Sequence, residues 1–467
     1  MMDVSEINRR SQAASKLVGQ EKYTEAIAEA RALLLSLAGR DAVHDMNCAG
    51  ILIDAGSRLG DANIIQEGTR VFESIDPGKL TPDEHDQWRY GLANGKGCLL
   101  MSSANSAPDW HVRDMGPEEE VVALYYESTD NLRRADAEVI INCAMVLISE
   151  GRFYEAADLL GHALEVHPHH PNAHLHSGSA LFRLFMSIRG QDSMVQSIVA
   201  PAVAHYDRAV LGFEAQGMDD FAAYARNGLR HVKEAVRQTC GSEIDREIAG
   251  VINQRLDTPR CGAPLGLEFL SRSPYRPEDD AALLDRIPDA LRHIVSDAAA
   301  TFVVGRSLLK RSARARTTMP SWGEHRPNAS DHLRYAAVRQ LSSVLDKVAW
   351  LINEAFGVGL TEDGCSFAAL FSPPDRNKPI PRFRPQLVVS NPGLMALAGM
   401  SCAFGSRRSK TVYAPLKVLR NVIEHRVPSR PITKDDVVFL QGIARATILH
   451  AVDAVAHKVH ITDAGIA

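Results

Sequence analysis

The sequence predicts an all-α protein with more than one domain, and three observations carry the prediction. Only 6% of the 467 residues are aromatic while alanine and leucine run densely through the chain, a bias toward helix and away from strand-rich sandwiches and barrels. An apolar content of 45% with 23% charged residues suits a folded chain of about two to four domains at roughly 150 residues each. The third observation is a recurring helix-pair pattern, clearest over residues 137–168.

That stretch, AEVIINCAMVLISEGRFYEAADLLGHALEVHP, reads as two helices broken at Glu150-Gly151. Small residues stand at Ala144, Ala156 and Ala163, bulky ones at Ile140, Leu147 and Leu160, and Pro168 closes the unit. Small side chains let two helices approach closely, and the terminal proline stops the second helix before the next unit begins. The pattern resembles the tetratricopeptide repeat. A degenerate copy starts at Pro171 with Gly178 and Leu181 in matching places, and residues 13–34 offer Ala14, Leu17 and Ala26. Residues 44–132 read as helical but irregular, and 200–238 add further helices. Residues 1–240 are therefore expected to form a tetratricopeptide-like α-solenoid. Its repeats bury their faces only by stacking, which leaves a concave surface for a protein or peptide partner.

Two segments of this half imitate ligand sites. His162, His167, His169, His170, His174 and His176 crowd the turn between two repeats, yet no cysteine or acidic cage accompanies them and no metal site is expected. Gly91–Gly97 (GLANGKG) lacks the Gly-Lys-Ser/Thr ending and the preceding strand of a phosphate loop, so it reads as helix and turn.

Residues 241–278 are expected to form a boundary, since 255–278 carries four prolines around short apolar patches. Residues 279–467 then read as a small helical bundle. Its helices are expected at about 279–312, 331–356, 392–404, 410–426 and 433 to about 460, while five prolines exclude 372–385 from helix.

Charge divides the chain unevenly. The net charge is −5, yet residues 301–430 hold 20 Lys and Arg against 8 Asp and Glu, a balance of +12, which leaves −17 for the remainder. A basic bundle beside acidic repeats favours an anionic ligand such as nucleic acid. The seven cysteines (Cys48, Cys98, Cys143, Cys240, Cys261, Cys365 and Cys402) are scattered without a Cys-x-x-Cys pair. Neither a disulfide framework nor a zinc ribbon fits, and a reducing compartment does. With a polar N-terminus and no apolar run near 18 residues, a cytoplasmic location is expected.

The chemistry concentrates in SKTVYAPLKVLRNVIEHRVPSRP, residues 409–431. Val412, Leu416, Leu419 and Ile423 recur at i, i+4, i+7 and i+11, one helical face suited to burial. Arg420, Asn421, Glu424 and His425 lie off that stripe, gathered in the last turns before Pro428. Arg420 with Glu424, and Asn421 with His425, are i, i+4 neighbours. An arginine followed by a polar residue and, after three more, a histidine resembles the signature of the HEPN superfamily, the higher eukaryotes and prokaryotes nucleotide-binding domains. Residues 333–360, 365–371 and 391–400 resemble successive blocks of an HEPN family in which tetratricopeptide repeats precede the domain. The resemblance covers about residues 280–460, and the segment 401–410 (SCAFGSRRSK) departs from the pattern by being more basic.

The side chains suit RNA cleavage without metal. A base removes the 2′-hydroxyl proton, the oxygen attacks phosphorus, and a fixed cation stabilises the phosphorane. Histidine exchanges a proton near neutral pH, and arginine presents a charged fork to phosphate oxygens. The resemblance implies an endoribonuclease that needs no metal or other cofactor. It implies a homodimer in which Arg420 and His425 of both chains share one cleft, with Asn421 orienting the histidine or a phosphate and Glu424 holding Arg420. The family setting further implies a toxin or antiphage effector restrained until triggered.

Three basic runs fit RNA contact: Lys310, Arg311, Arg314 and Arg316 beside Arg306; Arg376, Lys378, Arg382 and Arg384 with Phe383 between them as a base-stacking ring; and Arg407, Arg408 and Lys410 leading into the motif helix. Asp346 lies on a mainly apolar helix, where a buried carboxylate needs a partner; the HEPN resemblance implies that it supports the motif helix, and the alternative is a surface pair with a Lys or Arg. Two other readings stay open, a non-catalytic RNA- or nucleotide-binding adaptor and a protein-interaction scaffold.

Overall fold

A computed structural model describes residues 4–37, 41–104, 116–128, 136–188, 192–240, 284–315, 329–371, 391–405 and 432–463. The fold is all-α: the described residues hold helices and turns, with no strand among them. The chain divides into two compact units, Met1–Val146 and Leu147–Ala467.

The first unit runs α1 (Val4–Gly19), α2 (Tyr23–Leu37), α3 (Ala42–Leu59), α4 (Ala62–Ser74), a short turn at Pro77–Lys79, α5 (Pro82–Ala104), α6 (Gly116–Glu127) and most of α7 (Ala137–Ser149). Helices pack on their neighbours and next neighbours: α1 on α2 and α3, α3 on α4 and α5, α5 on α6. This is how stacked helix pairs bury their faces. The core is small and aliphatic around Ala14, Ala26, Ala30, Leu33, Leu52 and Ala55. Two of the unit's turns are written in the sequence. Asp41 and Asp61 cap α3 and α4, and the Asp61 carboxylate accepts the Asn63 amide at 2.9 Å. The α3–α4 hairpin closes so tightly that a Cβ on Gly68 would stand 2.7 Å from the Ala49 carbonyl oxygen. Gly91 and Gly95 belong to α5 and lie against Phe72 and Thr69, so GLANGKG is a helix-packing face.

The second unit holds α8 (Phe153–Val166), α9 (Pro171–Ile188), α10 (Asp192–Ala215), α11 (Asp219–Cys240), α12 (Asp289–Arg314), α13 (Ala329–Phe356), α14 (Phe367–Phe371), α15 (Pro392–Gly405) and α16 (Lys434–Asp463). The expected break at Glu150-Gly151 is present: Gly151 takes a left-handed conformation at φ 77°, and the Arg152 amide closes the turn on the Leu147 carbonyl at 2.9 Å. Helices α8 to α11 again pack in sequence, while α12 pairs with α13 and both lie on α16. Helix α16 also meets α8, α9 and α15, so it is the central helix of the unit.

Helices α8–α11 share a unit with the bundle because α16 packs on α8 and α9 as well as on α12, α13 and α15. Residues 241–278 lie outside the described residues. No helix among the described residues is long and apolar enough to cross a membrane.

Candidate functional site

The motif segment, residues 406–431, lies outside the described residues, and with it Arg407, Arg408, Lys410, Arg420, Asn421, Glu424 and His425. Arg316, Arg376, Lys378, Arg382, Phe383 and Arg384 lie outside them too. The described residues show how both flanks of the segment are held. On the N-terminal side, Asn391 caps α15 by accepting the Leu394 amide at 3.1 Å, and its Nδ2 donates to the Ala454 carbonyl of α16 at 2.8 Å. Near the end of α15, the buried Ser401 hydroxyl donates to the Phe367 carbonyl at 3.2 Å.

On the C-terminal side, Ile432 is fully buried, and Arg334 of α13 donates to its carbonyl from Nη1 at 2.6 Å. Arg334 Nη2 in turn donates to Ser330 Oγ at 3.0 Å and lies 3.6 Å from Asp331. The Ser330 hydroxyl bonds the Ser312 carbonyl of α12 at 2.8 Å. A polar chain thus ties the exit of the motif segment to the ends of α12 and α13. Sequence reasoning missed Arg334, because an arginine early in a helix carries no signal for a carbonyl about a hundred residues away.

Of the proposed RNA contacts, Lys310, Arg311 and Arg314 are exposed on the last turns of α12. Arg306 is buried, which removes it from the surface run that the sequence suggests. Burial lowers the proton affinity of Arg306, and Arg445 lowers it further. Lys310 is lowered by burial and then by Arg306 and Arg314. Of these neighbouring cations, Arg445 is paired with Asp158, whereas Lys310, Arg311 and Arg314 present their charge at the surface of α12, where like charges favour an anion.

Asp346 is half-buried on α13. Its charge reaches Cys365, whose thiol is pushed up to about 11 by burial first and by Asp346 and Glu354 next. That thiol stays protonated and is a poor nucleophile. The neighbouring Lys347 pairs with Asp297 of α12. The histidine cluster divides: His162 faces Glu165 at 3.1 Å, whereas His174 is buried with its Nδ1 2.9 Å from Nδ1 of His205 and its Nε2 2.9 Å from the Pro168 carbonyl.

Residues 328–435 match the family model for LA2681-like HEPN domains. The match begins at the threshold of α13, ends in the first turn of α16 and encloses Arg420 and His425. It connects this part of the chain with nucleotide- or RNA-related function. Comparison with curated proteins and comparison with solved structures gave no match.

Proposed function

We propose that the chain is a metal-independent endoribonuclease of the HEPN type. The observation that carries this reading is the Arg420-x4-His425 spacing inside the span that matches the HEPN family model. In this reaction His425 takes the 2′-hydroxyl proton of the substrate RNA and the freed oxygen attacks the adjacent phosphorus. The 5′-oxygen of the next nucleotide leaves with a proton, giving a 2′,3′-cyclic phosphate and a 5′-hydroxyl. Arg420 balances the charge that develops on the phosphorane, an interaction stronger in the transition state than in the ground state. One histidine per chain is meagre for removing one proton and delivering another, which favours a homodimer with two motif helices at one cleft. The exposed Lys310, Arg311 and Arg314 support a phosphate-holding path on the same unit. Tetratricopeptide-like helices binding a protein or peptide trigger, and a role as toxin or antiphage effector, complete the reading.

The test is cleavage of RNA in EDTA by the wild type, Arg420→Ala and His425→Ala. Loss of at least a hundredfold in rate is expected for each variant with RNA binding retained. Equal cutting by all three overturns the reading, and salt-dependent RNA binding without product assigns the chain to the adaptor class.

A further inference from the structure

The middle of helix α16 is sealed on every side, since each residue from Ala446 to Ala456 is buried. A helix in that position is ordinarily apolar all round. This one carries Arg445, His450 and Asp453 into contact with α8 and the start of the bundle. Tyr154 Oη donates to Asp453 Oδ2 at 2.8 Å, and Arg286 Nη2 donates to Asp453 Oδ1 at 2.6 Å. Arg445 Nη2 donates to Asp158 Oδ1 at 2.5 Å. The His450 ring meets Tyr154 edge-on with centroids 4.9 Å apart. Beside Tyr154, the buried Arg152 is held by Glu150 at 3.1 Å and by Glu155 at 2.7 Å. One carboxylate thereby joins three segments, with Tyr154 lying 299 residues and Arg286 167 residues from Asp453.

A contact between independent domains on a linker is expected to be polar, wet and dispensable. Here Arg286 and Asp453 are shut away from water and the Arg445–Asp158 pair is largely covered, and a buried charge whose partner leaves is strongly destabilising. Without α8, Asp453 loses the Tyr154 hydroxyl, Arg445 loses Asp158, and the α8-facing side of α16 meets water. We propose that α8 and α9 are a resident docking partner of the bundle, gripping α16 through Asp453 and Arg445. The two parts then stay bound without a covalent link, and a partner on helices α8–α11 acts on the bundle through α16. The last clause rests on the RNA-cleaving reading, because α16 starts two residues after Ile432, where the motif segment ends.

The experiment inserts a specific protease site within 255–278 of the full-length chain, cuts it, and follows the halves by gel filtration and by their dissociation constant. Wild-type halves are expected to co-elute, and Tyr154→Phe, which keeps the ring and removes one donor, to weaken the pair about tenfold. Asp453→Asn combined with Asp158→Asn is expected to separate them. Circular dichroism before the cut checks that each variant is helical, and Tyr154→Phe decides the matter if the double variant has lost its helices. Separation of the wild-type halves, or a Tyr154→Phe pair as tight as wild type, overturns the docking. RNA cleavage is measured on the same samples. Wild-type activity is expected to survive the cut and to vanish where the halves separate; separated halves cutting as fast as the intact chain overturn the control through α16. An intact wild type that cuts no RNA overturns the cleavage reading, and elution still decides the docking.

Discussion

In the first unit the α3–α4 hairpin closes around small apolar surface, with Gly56 and Gly68 against isoleucine side chains and backbone, and the Arg31–Glu67 pair that joins α2 to α4 stays at the rim. In the second unit the central helix closes around charge, with Arg286, Asp453, Arg152 and Glu150 all buried. Apolar packing is non-directional and depends on volume, whereas a sealed ion pair depends on its partner and on protonation. The two units therefore differ in what can damage them: added volume strikes the first, and lost charge or added protons strike the second.

The sharpest way to break the comparison is Asp453→Ala. It leaves the Arg286 guanidinium buried without its carboxylate and Tyr154 without its acceptor, a loss of about 3–5 kcal/mol. Native-state hydrogen exchange should show α16 and α8 opening more readily while the amides of α3 and α4 keep their protection. Equal loss in both units would mean that they unfold as one.

Acid is the next lever. Burial holds His450 down at about 4, with Arg152 opposing protonation while Glu155 and Asp453 favour it. Burial likewise holds His174 at about 4, aided by Arg208, His169 and His170 and resisted by the Pro168 carbonyl. His205, fully buried beside His174, is also held well below its ordinary value, by burial first and by His174 and Arg208 next. At His174 and His450 the unfolded chain binds a proton near the ordinary 6.5 and the folded chain only near 4. Their contribution is complete above 6.5 and is lost as the pH falls toward 4. Between pH 7 and pH 5 each of His174 and His450 should cost the second unit about 2 kcal/mol. Urea melts at the two pH values measure this, and His174→Gln with His450→Gln should flatten the dependence.

How far the sequence could reach follows from distance along the chain. Local signals were legible: Gly151 broke a helix pair because a left-handed residue was needed there, Ala14 and Ala26 lay in the core as the repeat pattern required, and helices expected at 331–356, 392–404 and 433 to about 460 occur at Ala329–Phe356, Pro392–Gly405 and Lys434–Asp463. Of the candidate site, the motif residues were legible only as a spacing on a helix face, and their geometry lies outside the described residues. Contacts between distant segments were illegible. Nothing in the windows around Tyr154, Arg286 or Asp453 marks them as partners, since a lone Asp on an alanine-rich helix reads as a surface position. Composition likewise carries no signal for which helices α16 touches.

The smallest test works inside the first unit and separates volume from helix propensity. Gly68 of α4 and Gly50 of α3 both lie in helix interiors of one hairpin, where alanine is favoured by about 0.5–1 kcal/mol. A Cβ at position 68 would meet the Ala49 carbonyl oxygen at 2.7 Å and Ile53 at 2.9 Å, so Gly68→Ala must push the helices apart, at about 1–3 kcal/mol. A Cβ at position 50 meets nothing within 4 Å, so Gly50→Ala should stabilise by the propensity alone. Opposite signs in thermal melts, with the exchange of α16 unchanged by either variant, would show that volume governs this unit and does not reach the charged centre of the other. A fall in stability for Gly50→Ala as well would remove packing as the reason the hairpin carries glycine.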